Sequence, residues 1–204
     1  MGLYSQFVLP PLCHLAMRNR QLRPYRARTV GAARGRVLEV GAGSGLNLAY
    51  YRADVREVFA LEPEAKLLGM ARRAGRADGL AVRFLEASAE AIPLDRESID
   101  TVVTTWTLCT IADAAAALGE MRRVLRPGGR LLFVEHGLAP EERVRRWQDR
   151  LTPAWRRIAG GCHLNRPVRA MIEDAGFRME RIETGYMRGP RPFTFLYQGS
   201  AAPE

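Results

Sequence analysis

The sequence predicts an α/β fold: a doubly wound, seven-stranded, mostly parallel sheet with helices on both faces. Three observations carry this. A short apolar strand, Val37 to Val40, runs into glycines at alternate positions, Gly41, Gly43 and Gly45. From Arg36 onward, apolar strands alternate with amphipathic stretches, the pattern of crossover connections between parallel strands. The run Arg126-Pro127-Gly128-Gly129 stops a helix immediately before another apolar strand, since proline cannot continue a helix and glycine takes the left-handed turn positions. At 204 residues the chain suits one domain with a sizeable core.

Residues Met1 to Val30 precede the first strand. Leu3, Tyr4, Phe7, Val8 and Leu9 form an apolar cluster stopped by Pro10-Pro11, and Leu12 to Arg28 reads as an amphipathic helix with Pro24 as a kink or break. The segment 1–30 is therefore expected to be a helical addition that precedes the domain at 31–200. After the glycines, Leu46 to Tyr51 reads as the first turns of a helix, so the loop faces free N–H groups suited to a ligand. A second strand, Val58 to Leu61, ends at Glu62-Pro63, and a helix is expected from about Glu64 to Arg76. Ala81 to Glu86 is a third strand. Thr101 to Thr105 is a fourth, Asp113 to Leu125 a helix, and Arg130 to Glu135 a fifth strand. Glu141 to Ala159 reads as helical, part of an insertion at about 138–167, followed by a helix from Val168 to Ala175 closed by Gly176. Phe177 to Thr184 and Phe193 to Gly199 are the expected last strands, with a disordered tail from Ser200 to Glu204.

The net charge is +9 and rests on arginine, Lys66 being the only lysine. Its arginines are scattered over predicted helices without interleaved stacking aromatics, which argues against a nucleic-acid partner. Three cysteines, Cys13, Cys109 and Cys162, have no paired spacing, so neither a disulfide framework nor a metal site is expected. No apolar run is long enough to cross a bilayer and no signal-peptide pattern opens the chain, so the expected location is cytoplasmic.

The glycine loop separates two cofactor classes. A dinucleotide fingerprint wants its third glycine three residues after the second, where Leu46 stands. The pattern Glu39-x-Gly41-x-Gly43-x-Gly45, with Glu62 about 20 residues on, instead resembles motif I of the class I S-adenosylmethionine-dependent methyltransferases. That resemblance implies a Rossmann-like sheet with an antiparallel pair at one edge. It also implies that the turn, including Ser44 and Asn47, packs against the methionine end of S-adenosyl-L-methionine and that Glu62 binds the ribose hydroxyls. Ala87 to Leu94 resembles the family's adenine-binding segment. Ser88 stands where the family usually has aspartate, Ala89 offers a backbone N–H, and Glu90 follows. Thr105 and Leu108, past the fourth strand, complete the implied cofactor wall. The N-terminal additions of this superfamily often serve as a lid; core packing and a membrane-surface helix with peripheral membrane contact remain the other readings.

Ligands of open α/β sheets bind beyond the C-terminal strand ends, which places the methyl acceptor near Thr105 to Ile111 and Glu135 to Gly137. Imidazole, with an ordinary pKa of about 6.5, makes His136 the candidate base; holding the loop after the fifth strand is the alternative. Trp106, Cys109, Trp155, Cys162, His163 and Asn165 are the candidate acceptor-binding residues; plain packing for the tryptophans, and capping and turning the chain before the next helix for Cys162, His163 and Asn165, are the alternatives. Thr107 to Ile111, Phe133 to Gly137, Pro153-Ala154-Trp155 and Gly161 to Arg166 together look like the alkyl-thiol S-methyltransferase family called methyltransferase-like 7. That family's small members act on hydrophobic thiols and carry an apolar N-terminal anchor; here the corresponding stretch is shorter and broken by prolines. The resemblance implies S-methylation of a small acceptor. A phospholipid-headgroup N-methyltransferase and a non-catalytic cofactor-binding protein are the alternatives.

Overall fold

The structure is a computed structural model that describes residues 7–74 and 79–204. Leu3 and Tyr4 of the expected apolar cluster, and the end of the helix expected to reach Arg76, lie outside the described residues. The elements are α1 (Leu9–Met17), α2 (Arg23–Val30), β1 (Gly35–Val40), β2 (Val55–Leu61), α3 (Ala65–Ala74), β3 (Val82–Leu85), β4 (Ile99–Thr105) and α4 (Ala114–Val124). They continue with β5 (Leu125–His136), α5 (Glu142–Ile158), α6 (Val168–Asp174), β6 (Phe177–Tyr186) and β7 (Phe195–Pro203).

One seven-stranded sheet runs in the order β3-β2-β1-β4-β5-β7-β6. The ladders among β1 to β5 are parallel. β7 lies antiparallel between β5 and β6, so the expected antiparallel pair is present and the reversed strand sits one place in from the edge. The central strands are covered on both faces, which is why they read as continuous apolar runs rather than alternating ones. Leu38, Phe133, Leu118 and Met121 pack on one side, and Val37, Val58 and Val103 pack with Val30 on the other. The order reverses between β1 and β4, so their C-terminal ends open the crevice in which such sheets bind ligands. Asp113 caps α4 by accepting the Ala116 N–H at 3.0 Å.

Three sequence expectations need correction. Pro10 and Pro11 do not stop an apolar cluster; they lie in the first turn of α1, and Pro24 lies in the first turn of α2. A proline is tolerated there because those N–H groups have no helical partner to lose. The chain breaks instead at Arg18 to Leu22, where Asn19 accepts the Gln21 N–H at 3.0 Å. Leu46 to Tyr51 does not start an α-helix but holds one tight turn, Leu48–Tyr50, because Asn47 and Tyr51 turn inward to bond Glu39. The tail from Ser200 is not disordered through Pro203: Ala201 is buried and pairs with Leu131 on one side and Met179 on the other. Among the described residues no helix is long and apolar enough to cross a membrane.

Candidate functional site

A cavity of about 760 Å³ opens at the C-terminal ends of β1, β2, β4 and β5. Its first wall is the loop after β1. Gly41 has φ +72°, and a Cβ there would stand 2.4 Å from the Thr107 side chain, so only glycine fits. At Gly43 (φ +55°) a Cβ would meet nothing closer than 4.0 Å, which leaves open space in front of the backbone. The Gly41 and Ala42 N–H groups both donate to Leu61 O, at 2.9 and 3.0 Å, and fasten the loop to the end of β2. Glu62 follows that end and accepts the N–H groups of Gly43 (2.9 Å) and Glu64 (3.0 Å). Burial raises its carboxyl above the usual range, and the two N–H groups oppose that rise. Pro63, Ser88, Ala89, Glu90 and Thr105 complete this wall; Ser88 Oγ donates to the Glu90 carboxylate.

A polar network lies beneath the loop. Glu39, only 1% exposed, accepts from Asn47 Nδ2 and Tyr51 OH, both at 2.8 Å. Burial pushes its carboxyl up to about 7. Asn47 also donates to Thr105 Oγ1 (3.0 Å) and accepts from the Arg26 guanidinium (2.8 Å), which stacks over Trp106 at 4.9 Å and donates to Met17 O at 3.0 Å. Glu39, which the resemblance to motif I implies as a cofactor residue, does not line the cavity; Asn47 and Arg26 reach it and Glu39 lies beneath them. Gly45 is likewise off the wall. A Cβ on it would lie 2.9 Å from Ala71 Cα, so its role is close packing against α3. Leu108 is fully buried in the core rather than in the cavity. Sequence reasoning missed Arg26 because on a helix face it looked like its arginine neighbours; nothing local marks it as the one that turns inward.

The second wall is built from three chain segments. Glu135, at the end of β5, accepts the N–H groups of Thr107 (2.8 Å) and Leu108 (3.1 Å), pinning the loop after β4. Burial pushes this carboxyl, too, up to about 7. Trp106 takes a left-handed conformation, φ +52°, rare for a bulky residue, and its buried indole N–H has no partner among the described residues. His136 Nε2 lies 3.1 Å from Cys162 Sγ, which also accepts the Trp155 indole N–H at 3.3 Å. The Cys109 thiol donates to Trp106 O at 3.6 Å; the close approach of Cys109 and Cys162 lowers the Cys162 pKa and raises that of Cys109 well above its ordinary value. Arg166 donates to the carbonyls of Leu108 and Ile111 and ties the segment after α5 to the loop after β4.

Trp106, Cys109, His136, Trp155 and Cys162 thus line the cavity as expected. His163 and Asn165 do not: His163 Nδ1 lies 3.1 Å from Cys109 O, and Asn165 donates to Asp149 at 2.7 Å, so both hold loops together. α1 forms a third wall through Leu9, Pro10, Cys13, His14 and Met17, and His14 Nδ1 lies 2.6 Å from Ser44 Oγ. Phe193 packs edge-on against Trp155, with ring centroids 4.9 Å apart, and closes the apolar end.

Residues 38–133 match the family described as Methyltransferase domain. The chain is 33% identical to human thiol S-methyltransferase TMT1B over 96% of its own length and 81% of the relative's. It is 34% identical to the rat protein of the same name over 80% of its own length and 66% of that protein's. Among solved structures, a SAM-dependent methyltransferase from Thermotoga maritima superposes with TM-score 0.69 at 19% identity, covering 98% of both chains, which shows the shared fold.

Proposed function

Since the chain belongs to the class I S-adenosylmethionine-dependent methyltransferases, close to the methyltransferase-like 7 family, we propose that it methylates the sulfur of a small hydrophobic thiol. The residues present fit the methyl donor. Glycine is obligatory at Gly41, open space faces Gly43, and a carboxylate stands at Glu62 where a ribose diol would be held. Arg26 supplies a buried cation beside the glycine loop for the donor's carboxylate. Ser88, Ala89 and Glu90 line the adenine side. When bound, the donor supplies a methyl group activated by a positively charged sulfur.

The observation that carries the thiol reading is the sulfur-and-imidazole corner at Cys109, His136 and Cys162, opening into an apolar end walled by Leu9, Trp155, Leu164 and Phe193. A free thiol is mostly protonated at neutral pH, and its thiolate is the nucleophile. The chain must therefore hold the acceptor sulfur where its proton can leave, and His136, which lines that wall with Nε2 3.1 Å from Cys162 Sγ, is the candidate base for it. The surrounding apolar side chains exclude water and place the sulfur for an in-line attack.

A second reading is favoured by one observation. Leu12 and Leu15 on α1 are 49% and 67% exposed, beside the arginines that follow the helix, a pattern suited to a lipid surface and a phospholipid-headgroup acceptor. The test offers a labelled methyl donor with either a long-chain alkyl thiol or phosphatidylethanolamine vesicles. The thiol reading expects labelled thioether, reduced about 100-fold in His136→Ala. Labelled lipid alone, or bound donor with no thiol product, refutes it.

A further inference from the structure

We propose that Cys109, His136 and Cys162 form a three-ligand site for a zinc-class divalent cation, with the fourth position open to the cavity for the acceptor's sulfur. The two Sγ atoms and the imidazole nitrogen all lie within 4.8 Å of one another, and His136 Nε2 is 3.1 Å from Cys162 Sγ. A tetrahedral site with metal–nitrogen and metal–sulfur bonds of about 2.0 and 2.3 Å has ligand–ligand edges of about 3.3–3.8 Å. Side-chain adjustments of about 1 Å therefore convert the cluster into a coordination face.

The donor set selects the ion. Thiolates and imidazole favour zinc over the hard cations, which take carboxylate and carbonyl oxygen. Two thiolates and a neutral imidazole carry the charge that balances a divalent cation. Three protein ligands with one vacant position is the arrangement of catalytic rather than structural zinc.

The surroundings hold the ligands in place without using them. Glu135 pins the Cys109 loop through the N–H groups of Thr107 and Leu108. Gln148, fully buried, donates to Gly137 O and Leu164 O, both at 2.9 Å, and so joins the chain beyond His136 to the chain beyond Cys162. Arg166 links that same segment back to the Cys109 loop. The Trp155 indole N–H already donates to Cys162 Sγ, the kind of outer contact that orients a metal-bound thiolate.

The inference rests on the thiol reading only for its fourth ligand. A thiol R–S–H entering that position forms a metal–sulfur bond through a sulfur lone pair and releases its proton to solvent. It is then held as a thiolate; with the cation in place His136 is a ligand, and the proton-acceptor role given to it above belongs to chain without the cation.

The test uses the full chain, reduced, freed of metal by a chelator, and titrated with Co²⁺ as a spectroscopic stand-in for zinc. One equivalent is expected to bind with an intense thiolate-to-cobalt charge-transfer band and the visible bands of a tetrahedral ion. Zn²⁺ displaces it. Cys162→Ser, shown folded by circular dichroism, should lose about half of the charge-transfer intensity and bind Zn²⁺ at least about 100-fold more weakly. Adding hexanethiol should shift the band and release one proton per site. No saturable binding by the wild-type chain, an octahedral spectrum, or an unchanged spectrum in folded Cys162→Ser overturns the cation site. Cobalt bound as expected but indifferent to hexanethiol leaves the site standing and overturns the thiol as its fourth ligand. Thioether produced by chain that binds no metal overturns this inference and keeps the thiol reading.

Discussion

Glu39→Gln tests the support beneath the cofactor loop. In the native chain the Glu39 carboxyl is pushed by burial from an ordinary 4.5 up to about 7, against the opposing bonds from Tyr51 and Asn47. The native state therefore keeps a proton that the unfolded chain releases, so stability is fully present below pH 4.5 and is lost as pH rises toward 7. At about 1.4 kcal/mol per pH unit, the gap between 4.5 and about 7 makes this loss about 3 kcal/mol. For a chain of this size that is about 6–12 °C in melting temperature. Glutamine has the same shape and cannot titrate; its oxygen still accepts from one neighbour, and the Tyr51 hydroxyl can rotate to accept from its NH₂. Thermal melts of both proteins at about pH 5 and about pH 8, without methyl donor, read the effect. The wild type should lose markedly more stability than the variant between the two conditions. Glu135, also near 7, stays in both proteins and cancels in the difference. Equal losses would mean that Glu39 is ionised throughout and that the Asn47–Arg26 network outweighs burial.

Gly41→Ala combines a left-handed backbone with a Cβ 2.4 Å from Thr107, and should lower stability by about 2–4 kcal/mol in denaturant titrations; a loss below about 1 kcal/mol would show that the Thr107 loop yields freely. Arg26→Met should weaken S-adenosylmethionine binding by about 10- to 100-fold while barely affecting an analogue without the carboxylate. Calorimetry showing equal losses for the two ligands would assign Arg26 a purely structural role. Gln148→Leu strips partners from the buried N–H of Ala139 and the carbonyls of Gly137 and Leu164. It should cost about 3 kcal/mol or more, and an unchanged unfolding midpoint would refute the bracing role.

The order of strands from Arg36 to Val134 could be read from the sequence because each step there is local: an apolar run, a turn residue, a cap. What escaped depended on partners far along the chain. Leu46 to Tyr51 has the composition of a helix start, yet Glu39, buried beneath it, draws Asn47 and Tyr51 inward and leaves a single turn. Arg26 differs from its arginine neighbours only in having Asn47 and Trp106 to meet. The apolar character of Ala201 gave no sign of two flanking strands, because pairing is a property of the sheet rather than of the segment. Cys109, His136 and Cys162 sit after β4, at the end of β5 and after α5, at no recognisable metal-ligand spacing; the topology alone brings them together.

The cavity draws its two halves from different parts of the chain. Gly41 to Glu90 supplies most of the glycine-loop side, whereas Leu9 on α1 and Trp155, Leu164 and Phe193 on the later segments supply the apolar end. Substitutions that reshape the apolar end can therefore leave the glycine-loop side as it is, so the two halves can vary separately. The His14–Ser44 contact bridges the two halves, so inheritance is not wholly independent: a lineage that rebuilds α1 must find another neighbour for Ser44 or accept a looser loop.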